Sequence, residues 1–257
     1  MTMRSIVRTI FLDNIKSKVV IIYFVMLALM AWTSLLLEDS EGKGTLTMLN
    51  IILFVVPLMS LLYGTIYLYN SRDFMVLLLS QPLKRGQIWH SLYGGVAGSL
   101  VIAFLLGAGI PVVLYTEAGT AFVMIMTGVA ITLIFVALAF LTTILSSDKT
   151  RGIGAAILLW LFFTMIYDAV MMYVIMIFSD YPIEKPMAAL LMLNPLDLAR
   201  FQVILKTEAS AMMGYSGAMF RQFLGEAAGI AVSAVLLLGW IVLPYFLSLR
   251  IFRKKDL

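Results

Sequence analysis

Six apolar stretches, each about as long as a bilayer is thick, constrain this 257-residue chain more than any other feature. A helix that crosses the hydrocarbon core needs roughly 20 predominantly apolar residues. Only 12% of the residues are charged, about half the usual share in a soluble domain. We therefore predict an all-α membrane protein in which residues 1–257 form one transmembrane domain, with six transmembrane helices at 19–37, 47–69, 92–115, 120–145, 152–178 and 226–249.

The amino-terminal residues 1–18 have the pattern of a helix that lies on a membrane surface. Ile6 and Ile10 fall on one helical face, whereas Arg8 and Lys16 fall on the other. This amphipathic pattern predicts an interfacial helix before the first span.

Two segments outside the spans are longer than a turn, and we expect function to concentrate in them. Residues 70–91 contain an apolar stretch at 74–79 that ends before Pro82, which predicts a short amphipathic helix. Residues 179–225 contain Asn194-Pro195-Leu196-Asp197, a pattern that favours the start of another helix.

Lysine and arginine are distributed unequally between the two sides of the predicted bundle. Thirteen of the eighteen lie on one side, and the other side has only Lys43, Lys185, Arg200, Lys206 and Arg221. Because positive charges are retained in the cytoplasm, the basic side is predicted to be cytoplasmic. An even number of spans then places both termini there.

The chain lacks most of the residues that catalysis or metal binding requires. It has no cysteine and one histidine, His90, so thiolate sites and paired imidazoles are excluded. Residues 42–45 superficially resemble a phosphate-binding loop but lack its preceding glycine. We predict no catalytic, cofactor-binding or metal-binding residues, and a chain that is not an enzyme. The net charge of +4 is attributed to the membrane surface rather than to nucleic acid.

Asp168 is the one carboxylate clearly inside a predicted span. A carboxylate in this environment is costly and often marks a polar path or a contact between helices. The alternative is a hydrogen-bonded structural residue near Tyr167 or Tyr173. The sequence shows no second ionisable group to accompany it within the spans.

Abundant methionine and glycine are both explained by helix packing. Thioether sulfur suits Cu(I), but methionine also fills gaps between helices, and we favour packing for the external residues Met187, Met192, Met212, Met213 and Met219. Small residues that would allow close helix approach include Gly94, Gly95, Gly98, Gly107 and Gly109.

The order of these segments resembles that of ABC type-2 permeases over essentially the whole chain. Two motifs are similar to a subgroup, the permeases of nitrous-oxide reductase maturation systems. They read LLLSQPLKRGQIW at 77–89 and LLMLNPLDLARF at 190–201. Asp73 and Phe74 replace a Gly-Thr pair and a glutamate that are common in the wider group.

The resemblance implies a homodimer in a bacterial inner membrane, with two copies of a separate cytoplasmic ABC ATPase. It also implies membrane lipid contacts and an external accessory protein that receives a copper-related species for copper-enzyme maturation. The implied ATPase coupling interface is Arg72, Asp73, Phe74, Leu77, Leu78, Lys84 and Arg85. The implied external partner contacts are Asn194, Asp197, Arg200 and Phe201.

Two other functions fit the same topology. One is an exporter of lipid, drug or sodium. The other is an assembly factor that transmits mechanical change to an external partner without transporting a substrate, since the spans contain few polar groups for a hydrophilic path.

Cysteine labelling tests the predicted topology without background, because the chain has no native cysteine. Single cysteines within 38–46 or 179–225 should react with a membrane-impermeant reagent added outside, whereas Lys254→Cys and Lys255→Cys should not. Reaction of either carboxyl-terminal variant from outside would overturn the orientation.

Overall fold

The computed structural model describes residues 3–36, 41–178, 189–206 and 215–255, with side chains at 5–36, 43–178, 189–206 and 229–255. These residues form helices and turns without a strand. Two segments, Leu105–Gly109 and Phe162–Ile166, are π-helical and continue directly into the α-helices on either side of them. The helices are α1 Met3–Ile15, α2 Lys18–Leu36, α3 Glu41–Asn70, α4 Arg72–Leu79, α5 Arg85–Phe104, α6 Ile110–Tyr115, α7 Ala118–Leu145, α8 Lys149–Leu161, α9 Tyr167–Ile177, α10 Pro195–Ile204 and α11 Tyr215–Lys254.

Six helical segments in the described part of the chain are long and apolar enough to cross a bilayer, which confirms the predicted all-α membrane fold. Together α5 and α6 form span three, and α8 and α9 form span five. The candidate spans are Lys18–Leu36, Lys43–Asn70, Arg85–Tyr115, Ala118–Leu145, Lys149–Ile177 and Gly229–Lys254.

Span three begins earlier than the sequence predicted. Its first helix starts at Arg85 rather than at residue 92. The Gln87 side-chain oxygen accepts a hydrogen bond of 3.2 Å from the Lys84 backbone N–H, which satisfies a donor at the start of the helix. The predicted cytoplasmic segment 70–91 is therefore shorter, and consists of α4 and the turn up to Lys84.

The amino-terminal helix α1 packs against protein as well as having an exposed face. Ile6 and Ile10 are each only 2% exposed, and α1 lies against α5. Gly95 allows this approach, because a Cβ there would lie 2.3 Å from the Ile10 side chain. At the other end of α1, the Tyr63 hydroxyl donates a hydrogen bond to the Asn14 side chain and connects α1 to span two.

Span four, formed by α7, lies at the centre of the bundle. It packs against α3, α5, α10 and α11. Phe135 and Phe140 are fully buried, and Phe140 contacts Trp89 edge-on at 5.0 Å between ring centroids. A Cβ at Gly128 would lie 2.1 Å from the Phe104 ring, so a small residue is required where spans three and four meet.

Spans five and six are much less covered than the centre of the bundle. In the most apolar part of each span, 11% of the residues of span five and 17% of those of span six are buried. The corresponding share is 61% in both span three and span four. A wide apolar surface on this side is therefore available to lipid or to a second copy of the chain.

Gly95→Val should destabilise the protein by roughly 1–3 kcal/mol, the usual cost of overpacking a close contact. Gly119→Val is the matched control, because nothing lies within 4 Å of a Cβ at Gly119 and this glycine is outside spans five and six. Thermal unfolding in detergent should show a lower midpoint for the first variant only. Equal midpoints would show that α1 does not need this contact.

Candidate functional site

Two regions carry the residues that the sequence singled out, and the first is the short helix α4 on the basic side. Met75 and Leu78 point inwards and are 5% and 2% exposed. Phe74 and Leu77 are 39% and 64% exposed. Phe74 and Leu77 thus form an exposed apolar surface, here called the docking face.

Arg72 fixes the start of α4 to the turn between spans four and five. Its guanidinium donates a hydrogen bond of 3.1 Å to the Ser147 carbonyl and lies 4.6 Å from the centroid of the Tyr69 ring. A cation over an aromatic face is attracted to it, so both contacts hold Arg72 against the spans. Asp73, next along the helix, is exposed.

The basic pair that follows α4 is divided between two roles. Lys84 is exposed at the start of α5. The Arg85 guanidinium instead donates hydrogen bonds to the backbone carbonyls of Lys255 and Arg253, at 2.7 and 3.3 Å. It therefore satisfies carbonyls at the carboxyl end of α11, where a helix lacks partners of its own.

The second region surrounds Asp168, where the structure corrects the prediction that no ionisable group accompanies it. An Arg200 nitrogen lies 3.6 Å from an Asp168 oxygen and 3.6 Å from an Asp197 oxygen. Arg200 and Asp197 belong to α10, which packs against α3, α7, α11 and the π-helical segment of span five. The partners of Asp168 thus come from a distant part of the sequence.

Asn194 holds the first turn of α10 against span five. Its side-chain oxygen accepts a hydrogen bond of 3.0 Å from the Leu196 N–H, as an N-cap residue does. Its amide nitrogen donates to the Phe163 carbonyl at 3.1 Å and to Asp197 at 3.0 Å. The Asn-Pro-Leu-Asp pattern was thus read correctly as a helix start, but it also carries the connection to span five.

Burial changes the interpretation of the four residues that were expected to contact an external partner. Asn194, Asp197 and Phe201 are 0%, 5% and 7% exposed, so their side chains contact this protein itself. The Arg200 side chain is 39% exposed. Of these four residues, only Arg200 has a substantially exposed side chain, and its contact with a partner stays a prediction.

A cavity of about 150 Å³, here called the outer cavity, lies beside this cluster. Burial raises the pKa of Asp197 to about 7; the negative charge of Asp168 adds to the rise, and the Arg200 guanidinium opposes it. Asp197 therefore exchanges a proton near neutral pH. The cavity is lined by Asn50, Leu53, Phe54, Phe163, Thr164, Asp168, Leu196, Asp197 and Arg200.

The described residues contain no group of three or more histidine, cysteine or acidic side chains that could hold a metal ion. Of the external methionines, Met192 is partly buried and packs against the core. Met187, Met212, Met213 and Met219 lie outside the described side chains.

The pKa of Asp197 predicts how stability depends on pH. An aspartate has a pKa of about 3.9 in an unfolded chain, so the folded protein binds this proton more tightly. This tighter proton binding stabilises the folded protein. Its contribution to the free energy of unfolding is complete below the unfolded pKa and is lost as pH rises through about 7. The midpoint temperature of unfolding should therefore fall between about pH 4 and about pH 7, and Asp197→Asn should flatten the curve. Asp148→Asn, at an exposed site, is the control, and equal slopes for all three proteins would contradict the assignment.

Comparison with known proteins finds two permeases to which the chain is similar. No protein-family model matches it. It is 30% identical over 173 residues to a Pseudomonas aeruginosa protein named "Probable ABC transporter permease protein NosY", covering 63% of each chain. It is 26% identical over 223 residues to a protein of the same name from Stutzerimonas stutzeri, covering 79% of this chain and 76% of that one. The first match thus spans less than two thirds of its relative. These matches confirm the predicted resemblance: the chain is similar to NosY-type ABC transporter permeases.

Proposed function

We propose that this chain is the membrane subunit of an ABC transporter, working as a homodimer with two copies of a separate ATPase. The observation that carries the proposal is the docking face of α4, exposed on the basic side of a six-span chain similar to NosY permeases. Because membrane proteins retain basic residues in the cytoplasm, this orientation presents α4 to a cytoplasmic ATPase.

Contacts around α4 supply a route from the ATPase to the spans. Arg72 bonds to the turn that leads into span five, and Met75 and Leu78 anchor α4 in the core. Arg85 bonds to the end of span six. A displacement of α4 would therefore move the basic-side ends of several spans together.

The exposed sides of spans five and six support a homodimer. Asp168 is 39% exposed on span five, and a carboxylate that faced lipid would be costly. Neighbouring protein or water relieves that cost. A second copy of the chain packed against this side would cover Asp168 or enclose a polar path beside it.

The substrate proposed is a copper-related species passed to an external accessory protein for copper-enzyme maturation. Support comes from the similarity to NosY-named permeases and from the motif at 190–201, part of which forms the cluster around Asp168.

Mechanical transmission without a transported substrate is the second candidate. The outer cavity measures about 150 Å³. Pockets for drug-sized ligands usually measure roughly 300–1,000 Å³, so this cavity within one protomer does not favour export of a drug or a lipid.

Truncating the docking face should weaken association with the ATPase. Phe74→Ala should cost roughly 1–3 kcal/mol of binding free energy if Phe74 enters a pocket on the partner. Leu77→Ala and Leu145→Ala form a matched pair, since both leucines are 64% exposed but only Leu77 lies on α4. Co-purification of the ATPase with each membrane-inserted variant measures the effect. Equal recovery with Phe74→Ala, Leu77→Ala and the control would place docking elsewhere.

Lys84→Glu should chiefly slow assembly and make it more sensitive to salt, because an exposed charge steers association more than it sets affinity. The variant is made without changing Arg85, whose side chain holds the end of α11.

The purified chain alone should hydrolyse no ATP, since it has no phosphate-binding loop. Hydrolysis by the isolated chain would contradict a separate ATPase.

A further inference from the structure

A pocket of about 280 Å³ opens on the basic side of the protein, where α4, the turn between spans four and five, and the end of α11 meet. We call it the inner pocket. It is lined by Arg72, Met75, Val76, Ser147 and Lys255. We propose that the inner pocket binds the phosphate headgroup of an anionic phospholipid.

Two cations are positioned at this pocket by contacts with the protein backbone. Arg72 donates a hydrogen bond to the Ser147 carbonyl, and the Lys255 ammonium donates one of 2.7 Å to the Ile144 carbonyl. Guanidinium and ammonium groups each carry several donors, so one bond to a carbonyl leaves others for a ligand. Arginine suits phosphate because its planar fork matches the phosphate oxygens.

The wall between these cations is apolar. Met75 is 5% exposed, and Val76 is 54% exposed. A second cavity of about 30 Å³ shares Arg72, Met75 and Lys255 with the inner pocket. The combination of a cationic rim and an apolar wall matches the junction between a lipid headgroup and its acyl chains.

Nearby charges also favour an anion. Two exposed carboxylates, Asp73 on α4 and Asp148 in the turn, lie on the elements that form the pocket. Four cations on α4 and at the end of α11 outnumber these two carboxylates: Arg72, Arg253, Lys254 and Lys255.

The position of the pocket identifies a lipid rather than a soluble anion. Ser147 lies between the last residue of span four, Leu145, and the first of span five, Lys149. Lys255 directly follows the end of span six. The pocket is thus at headgroup level, and basic pockets between membrane helices on the cytoplasmic side bind anionic headgroups. The choice of that leaflet rests on the orientation proposed above.

Helix geometry separates this pocket from the docking face. Successive residues are rotated by about 100° around an α-helix, so Arg72 and Val76 lie on one side of α4 with Phe74 roughly opposite, and Leu77 lies about 120° from the midpoint of Arg72 and Val76. A lipid in the inner pocket and an ATPase on the docking face therefore contact different sides of α4. Lipid binding can be tested without the ATPase.

Native mass spectrometry of the purified full-length chain, released from detergent, tests the proposal. The probes are phosphatidylglycerol and phosphatidylcholine with the same acyl chains, added at equal concentrations. Wild-type protein should bind phosphatidylglycerol several-fold more tightly. Arg72→Gln and Lys255→Gln should each reduce the affinity for phosphatidylglycerol by roughly fivefold, because each removes one cation near the bilayer surface. The double variant should bind phosphatidylglycerol no more tightly than phosphatidylcholine.

Lys254→Gln is the matched control, because it removes an equal charge next to Lys255 from a residue outside the pocket lining. Its preference for phosphatidylglycerol should remain. Equal binding of both lipids by wild-type protein, or an equal loss in the control, would overturn the proposal. Displacement of the lipid by millimolar inorganic phosphate would assign the pocket to a soluble anion instead. Unchanged lipid binding with lost ATPase co-purification in the double variant would assign it to the ATPase.

Discussion

The absence of water from the bilayer core is the constraint on which the rest of this structure depends. In hydrocarbon every backbone donor and acceptor needs a partner within the protein, so the apolar stretches form helices that satisfy their own backbone. The same constraint acts on side chains. Asp168 in span five lies beside Arg200, and Asn194 ties the start of α10 to the Phe163 carbonyl. Polar groups from separate elements therefore gather in one cluster beside the outer cavity.

At the basic side, a different set of contacts joins the ends of the spans. Arg85 holds the carboxyl end of α11, and the Trp89 indole donates a hydrogen bond of 3.1 Å to Ser248 and stacks on Phe252. Arg72 joins α4 to the turn before span five. If an ATPase pushes on α4, the force reaches span three through the packing of α4 on α5, the turn before span five through Arg72, and span six through Arg85 of span three. The inner pocket lies among these same elements, so a lipid bound there would strengthen the connection.

Local patterns were sufficient to predict most helices, because length, apolarity and turn residues act within a few neighbouring positions. The number of spans, the amphipathic helix α4 and the helix start at Asn194 were predicted on these grounds and are present. The partners of Asp168 were missed because Asp197 and Arg200 were assigned to an external segment. Arg85 was assigned to the ATPase coupling interface, and nothing near it in the sequence reveals the carbonyls at the end of α11 to which it donates hydrogen bonds.

By itself, the sequence determined that this chain is a helical membrane protein with a short amphipathic helix on its basic side. Hydrophobic length and the distribution of lysine and arginine are properties of the chain before it folds. Only the tertiary structure decided which charged residues meet. Side chains far apart in the sequence become neighbours when α10 packs against span five and α11 ends beside α4. That packing turns Asp197 and Arg200 from expected surface contacts into partners of Asp168, and brings Lys255 to the same pocket as Arg72.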